Sequence, residues 1–272
     1  MNYSLDAVTK QYVVRRQTVP ALESVSLSVQ KGEVMAILGS SGAGKTTLFR
    51  LLNATLRPTS GSIRVDGCEL GGMSSGDLRR TRRRIGTIYQ QHNLVPSLTA
   101  LQNTLCGCLG RWSLAETIRS VLSPAKADVE QALHALELVE LADKRHARAD
   151  ELSGGQQQRL AIARVLMQKP EVILADEPVA SLDPTLTDGI MSLLMRVGSE
   201  GRRTLVVAMH KVSLALEYFP RVIGLRAGSV FFDRPSASVA GDLLQDLYSG
   251  SRQESQRIQD EDRFQREFGC AR

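Results

Sequence analysis

Three apolar runs stand far apart along the chain: "VMAIL" at 34–38, "VILA" at 172–175 and "TLVVAM" at 204–209. Each is continuous rather than alternating, and each is far too short to span a bilayer. They fit strands buried on both faces. Residues 84–89 predict a further strand. The segment "PTLTDGIMSLLMRVG" between the second and third runs predicts a helix, and "KTTLFRLL" predicts another from Lys45 to about Leu52. Strands alternating with helices predict an α/β fold with a largely parallel sheet. The opening is different. "YSLDAVTKQYV" and "ALESVSLSV" read as short alternating strands, closed by a turn at Lys31-Gly32, and "GSIRVDGCEL" returns to strand and turn. From Gln91 to about Gln168 the pattern becomes helical. There Val129, Leu133, Leu136 and Val139 or Glu140 form an apolar stripe. "RVIGLRAGSVFFD" predicts a closing hairpin. The expected organisation is one domain over 1–248, with a helical insertion at about 91–168. A charged tail over 249–272 follows, read as a short helix or disorder. There is no internal repeat.

Composition narrows this little. The 272 residues suffice for one sizeable core, and with 4% aromatics aliphatic side chains must fill it. A net charge of +5 favours an anionic partner, whether nucleotide, nucleic acid or an acidic membrane face, or serves solubility alone. Cys68, Cys106, Cys108 and Cys270 lack metal-site spacing and read as reduced thiols. The N-terminal stretch lacks the basic start and apolar run of a signal peptide. If the protein works at a membrane, another chain must supply the spanning part.

The chemistry lies in loops. Gly39-Ser40-Ser41-Gly42-Ala43-Gly44-Lys45-Thr46, followed by Thr47, fits G-x-x-x-x-G-K-[ST] between a predicted strand and a predicted helix. Glycines let backbone N–H groups wrap phosphates, Lys45 reaches the β- and γ-phosphates, and Thr46 can bind Mg²⁺. "VILADEP" ends a strand in two carboxylates. Asp176 is placed to hold Mg²⁺ and Glu177 to polarise a water for phosphoryl transfer. "LSGGQ" opens a helix with bare N–H groups, a second anion site far from the first.

Taken in order, the phosphate loop, "LSGGQ", "ILADEP", "SLDP" and His210 resemble the ATP-binding cassette (ABC) ATPases over about residues 3–233. The resemblance implies a P-loop NTPase with a RecA-like core, an antiparallel β-subdomain and an inserted helical subdomain. It implies ATP and Mg²⁺ as cofactors and adds roles. Tyr12 resembles the aromatic that stacks on adenine. Gln90 resembles the glutamine that contacts Mg²⁺ and the attacking water. Ser181-Leu182-Asp183 resembles the loop crossing a dimer interface, and His210 the switch histidine near the γ-phosphate. Ser153, Gly154, Gly155 and Gln156 would then serve the nucleotide of a second copy, two chains sandwiching two ATP molecules. His92, His134 and His146 have no such support and read as surface or packing residues.

The interval between Lys45 and Ser153 holds neither heptads nor paired CxxC, unlike the DNA-repair cassettes. There is one cassette, where translation members usually carry two. "YQQHNLVPSLTALQNTLCGCLG", "ILADEPVASLDP" and "VIGLRAGSVFFD" look like the phosphonate-import ATPases, with lipoprotein-release and amino-acid-uptake ATPases as neighbouring possibilities. That likeness implies a peripheral subunit on the cytoplasmic face of the inner membrane. Its partners would be permease subunits and, indirectly, a periplasmic solute-binding protein. "HKVSLA" departs from the family's usual acidic form, which bears on the solute. Leu94, Val95 and Leu98 are expected to be exposed and to floor a groove for a permease helix. The basic run Arg79, Arg80, Arg82, Arg83 and Arg84 lacks the interleaved aromatics of a nucleic-acid site and reads as a solvated or membrane-facing surface.

Overall fold

The computed structural model describes residues 1–14, 17–113, 116–119, 124–180 and 182–249. In chain order its elements are β1 (Tyr3–Val14), β2 (Gln17–Val29), β3 (Val34–Leu38), α1 (Lys45–Leu52), β4 (Ser60–Val65), β5 (Cys68–Glu69), α2 (Ser75–Arg83) and β6 (Ile85–Ile88). The helical stretch holds α3 (Ala100–Leu105), α4 (Lys126–Leu138) and α5 (Gly154–Met167). The chain returns with β7 (Val172–Asp176), α6 (Pro184–Glu200), β8 (Thr204–Met209), α7 (Val212–Tyr218), β9 (Arg221–Arg226) and β10 (Ser229–Pro235), then a helix over 241–249.

Two sheets result. The larger has the order β10-β9-β3-β8-β7-β6 and is parallel except for β10, which closes it as a hairpin on β9. The smaller, β2-β1-β4-β5, is antiparallel. The continuous apolar runs are buried on both faces, as expected for a covered parallel sheet. Because successive strand residues point to opposite faces, each run feeds two cores. Ala36, Leu38, Ile173, Ala175, Leu205 and Val207 face the core shared with α4, α5 and α6. Met35, Ile37, Val172, Leu174, Val206 and Ala208 face the core shared with α1 and the antiparallel sheet.

Four expectations need correction. The opening strands are long rather than short: β1 and β2 pair from Tyr3↔Val29 to Val14↔Gln17, with bulges that re-phase the alternation. Residues 91–99 contain no helix: His92 and Asn93 take left-handed backbone, Pro96 follows, and the first turn of α3 waits for the Thr99–Gln102 capping box. The expected stripe on α4 holds at Leu136 and at Val139, both buried, but Val129 and Leu133 are half-buried and Ala132 and Ala135 complete the buried face. The small alanines allow close approach to α3 and α5. Leu94 and Leu98 are half-buried, with Leu94 packed on the large core, whereas Val95 is 43% exposed.

The basic run is also more engaged than a solvated face. Arg80 pairs with Asp77, Arg82 donates twice to the Ala54 carbonyl, and Arg84 bridges Glu171 and Asp66. Residues 250–272, including Cys270, and Ser181 lie outside the described residues.

Candidate functional site

The strand order places four loops side by side. Gly39 follows β3, His210 follows β8, Glu177 follows Asp176 at the end of β7, and Gln90 lies just past β6. These strands are neighbours in the order β3-β8-β7-β6, paired Leu38↔Met209, Asp176↔Ala208 and Ile88↔Ala175. The carboxyl edge of a parallel sheet is where such folds bind ligands.

Gly39 to Thr46 carries the chain from β3 into α1. Gly44 has φ +102°, and a Cβ there would meet the Ala21 carbonyl oxygen at 2.6 Å and Leu22 at 2.7 Å. A Cβ on Gly39 would meet the Leu225 oxygen at 2.5 Å. Both positions therefore exclude any side chain. Helix α1 begins with no side-chain cap and no acidic residue in its first turn. Its leading N–H groups and positive dipole end are left to an anion.

Lys45 is 5% exposed, and its ammonium donates to the Gly39 and Ser40 carbonyls at 2.8 and 2.9 Å. It stands 3.6 Å from Glu177 Oε1 and 3.4 Å from the His210 ring nitrogens. Burial pulls its pKa below the usual lysine value, against the opposing pull of Glu177 and Asp176. Glu177 Oε1 meets His210 Nε2 at 2.5 Å. The Thr46 hydroxyl donates to Asp176 Oδ2 at 3.0 Å. Burial raises the Asp176 pKa, and the Glu177 charge adds to it. Glu177 itself has φ +51°, a left-handed backbone that is costly for a residue with a Cβ, and its N–H donates to the Ala208 carbonyl at 2.9 Å. The structure thus brings Lys45, Thr46, Asp176, Glu177 and His210 into one polar cluster at an uncapped helix start.

The other expected residues lie elsewhere. Gln90 is exposed in a turn closed by the His92 N–H on the Tyr89 carbonyl. Ser153 caps α5: its hydroxyl accepts from the Gln156 N–H, and Gln156 Oε1 accepts from the Ser153 N–H, a closed capping box. A Cβ added at Gly154 would meet open space, while one added at Gly155 would stand 3.0 Å from Leu186. No hydrogen bond or ion pair joins residues 153–156 to residues 39–47 among the described residues. Asp183 caps α6 through the Leu186 N–H at 3.0 Å. Tyr12 is half-buried on β1, with the Lys10 ammonium 5.7 Å from its ring centre. His134 is exposed and His92 half-buried, while His146 accepts from Arg145.

Sequence reasoning missed two residues bordering the site. The Tyr248 hydroxyl, on the helix over 241–249, donates to the His210 carbonyl at 3.3 Å. Arg164, on α5, donates to the carbonyls of His92 and Asn93. Nothing local marks either one. The "IARVL" context of Arg164 places it on a helix but does not name carbonyls 71 and 72 residues away.

Among the described residues, no three His, Cys, Asp or Glu side chains are grouped to hold a metal. Among them, too, no helix is long and apolar enough to cross a membrane. The ABC transporter family profile matches residues 22–180. The chain is 45% identical over 237 residues to the phosphonates import ATP-binding protein PhnC of Pseudomonas fluorescens, covering 87% of this chain and 89% of that one. It is 43% identical to PhnC 3 of Halalkalibacterium halodurans, over 84% of this chain and 87% of the other. Among solved structures it is similar to the dimeric bacterial ABC transporter cassette MJ0796, with TM-score 0.76, 33% identity, and 86% and 98% of the two chains covered. The post-hydrolysis dimer of that cassette, bound to ADP and Pi, gives a TM-score of 0.74 over the same coverage at 33% identity. With the phosphate loop on its uncapped helix, the acidic pair at the β7 end and these relatives together, the chain belongs to the ABC transporter family and is an ATP-binding, ATP-hydrolysing cassette.

Proposed function

We propose that this cassette drives import of phosphonates or a related small oxyanion, as one of two copies docked on a separate permease. The observation that carries the ATPase chemistry is the cluster of Lys45, Thr46, Asp176, Glu177 and His210 at the uncapped start of α1. The solute class rests on the names of the relatives, since a cassette's own residues need never touch the solute.

In this reading the N–H groups of residues 39–47 wrap the phosphates, and Lys45 exchanges the Gly39 and Ser40 carbonyls for phosphate oxygens. Tyr12 stacks on the adenine. The Thr46 hydroxyl and the Asp176 carboxylate, already 3.0 Å apart, suit a hard cation that prefers oxygen ligands. They would hold Mg²⁺, with Gln90 at its edge, and the bound cation would neutralise phosphate charge. Glu177 takes a proton from the attacking water, oriented by its contact with His210. The self-capped start of α5 (Ser153 to Gln156) and Asp183 face a second copy's nucleotide. Its γ-phosphate would complete the anion site that Gly154 leaves open.

The permease site is a groove of about 470 Å³ bordered by Arg79, Arg83, Thr87, Val95, Leu109 and Arg164. Val95 and Leu109 are each 43% exposed and form its apolar floor. They, rather than Leu94, are the residues a docked helix would cover. Peripheral attachment to the cytoplasmic face of the membrane follows from this docking.

The decisive experiment is Glu177→Gln. Turnover should fall ~10²–10⁴-fold, the range for a lost general base, while ATP binding persists and an ATP-bound dimer accumulates in size-exclusion chromatography. Near-parental hydrolysis would remove Glu177 from this role. For the solute, binding assays on the partner solute-binding protein with phosphonates, phosphite and phosphate esters decide the class.

A further inference from the structure

The turn that presents Gln90 is held from outside itself. Gln90 and Gln91 are the two central residues of a turn closed by the His92 N–H on the Tyr89 carbonyl at 3.0 Å. The next two residues both take left-handed backbone, His92 at φ +57° and Asn93 at φ +50°. Two consecutive residues in that region persist only where the surroundings over-determine them. The surroundings here are the guanidinium of Arg164. One of its terminal nitrogens donates to the Asn93 carbonyl and the other to the His92 carbonyl, the latter at 2.7 Å. The planar fork of arginine matches two adjacent acceptors in a way that the point charge of lysine does not.

Arg164 is itself fixed. It lies in the last turn of α5, the helix whose first turn is the Ser153 capping box. Gly107 packs so closely on its backbone that a Cβ there would stand 2.1 Å from the Arg164 carbonyl oxygen. Its side chain also borders the groove that holds Val95 and Leu109. One residue therefore touches the docking groove, belongs to the helix that begins at Ser153, and grips the backbone two and three residues past Gln90.

We propose that Arg164 is a positioning residue for Gln90, holding the Tyr89–His92 turn through the His92 and Asn93 carbonyls. The proposal rests on the reading above in which Gln90 acts at the nucleotide. It assigns Arg164 no contact with ATP. Its loss should lower kcat through Gln90 and leave nucleotide affinity alone.

The test is a double-mutant cycle on the full-length chain with ATP and Mg²⁺, using Arg164→Gln, Gln90→Ala and the pair. Each single substitution is expected to lower kcat by roughly tenfold with KM for ATP unchanged, and the pair to be no slower than the slower single by more than about twofold. Arg164→Lys keeps the buried charge but loses the fork, so it should not restore kcat. Hydrogen exchange at the amides of residues 90–93 should speed up in Arg164→Lys. If Arg164→Gln fails to fold, the lysine variant carries the same cycle. Losses that multiply to about a hundredfold, or full rescue by lysine, would overturn the proposal and leave Arg164 a packing residue. If Gln90→Ala alone keeps the parental kcat, the role of Gln90 falls instead. The exchange rates then judge Arg164 by themselves: unchanged exchange at residues 90–93 rejects it as the holder of the turn.

Discussion

Helices α1 and α5 both start at glycine, Gly44 just before α1 and Gly154 opening α5, with N–H groups suited to an anion, yet the two starts are built in opposite ways. At α1 the glycines are enforced from within: Gly39 and Gly44 each have backbone oxygen about where a Cβ would go, and no side chain caps the helix. Buried charge is gathered around it. At α5 the cap is closed by Ser153 and Gln156, and a Cβ on Gly154 would meet nothing among the described residues. The first start is half of a site already assembled. The second closes its own cap, and among the described residues nothing lies within 4 Å of where a Gly154 side chain would go. In the two-copy arrangement proposed above, the nucleotide of a second copy would supply the reason for glycine there.

Substitutions can break this contrast. The largest effect is expected for Lys45→Ala, which removes the cation at the centre of the assembled half. Turnover should drop about 10²–10³-fold, the cost of losing one electrostatic contact to a developing charge, as read by steady-state phosphate release. Mixing Lys45→Ala chains with Ser153→Arg chains sharpens the point, since a mixed pair regenerates one intact site across the interface. The mixture should hydrolyse ATP faster than the two variants measured apart, and no gain on mixing would show that Ser153 works within its own chain.

A smaller effect, on stability, separates the glycines. Gly44→Ala forces a side chain into a left-handed position against the Ala21 carbonyl. It should cost about 2–4 kcal/mol, combining backbone strain with overpacking, by denaturant titration. Gly154→Ala has room and should change stability by less than about 0.5 kcal/mol while weakening ATP-driven pairing.

The last effect, a pH dependence, concerns Asp176. Its folded pKa is raised, so the folded state keeps a proton that the unfolded chain has released. That contribution to stability is present below the ordinary carboxylate range and is lost as pH rises through the raised value. At neutral pH the charge is a net cost. Without nucleotide or Mg²⁺, Asp176→Asn should therefore be the more stable protein at neutral pH, read as a higher Tm. The advantage should vanish as pH falls below the Asp176 pKa. An equal advantage at pH 4 and pH 7 would contradict the buried charge as its source.

What was legible in the sequence was local or two-faced. The phosphate loop and α1 could be read to the residue, because glycine spacing and a following helix former leave few conformations. The parallel strands could be read from unbroken apolar runs, since only a sheet covered on both sides needs them. Apolar pattern says that a residue is buried but not by what. Leu94 has the pattern of a docking surface yet packs on the large core, and the α4 stripe holds at Leu136 and Val139 but is joined by alanines rather than by Val129 and Leu133. The opening strands look short in sequence because bulges break their alternation. Arg164 and Tyr248 were out of reach, since each acts on a backbone carbonyl, which carries no side-chain signature and lies 72 or fewer residues away only by virtue of the fold.

The left-handed backbone of Glu177 sets thermostability and turnover against each other at one position. Asparagine or glycine would relax it, and either would survive a screen that rewards heat resistance alone. Libraries of this cassette selected only for melting temperature should lose glutamate at 177 early, and with it the residue placed beside His210. A selection for engineered stability would need hydrolysis scored in the same round, or the position held fixed from the start.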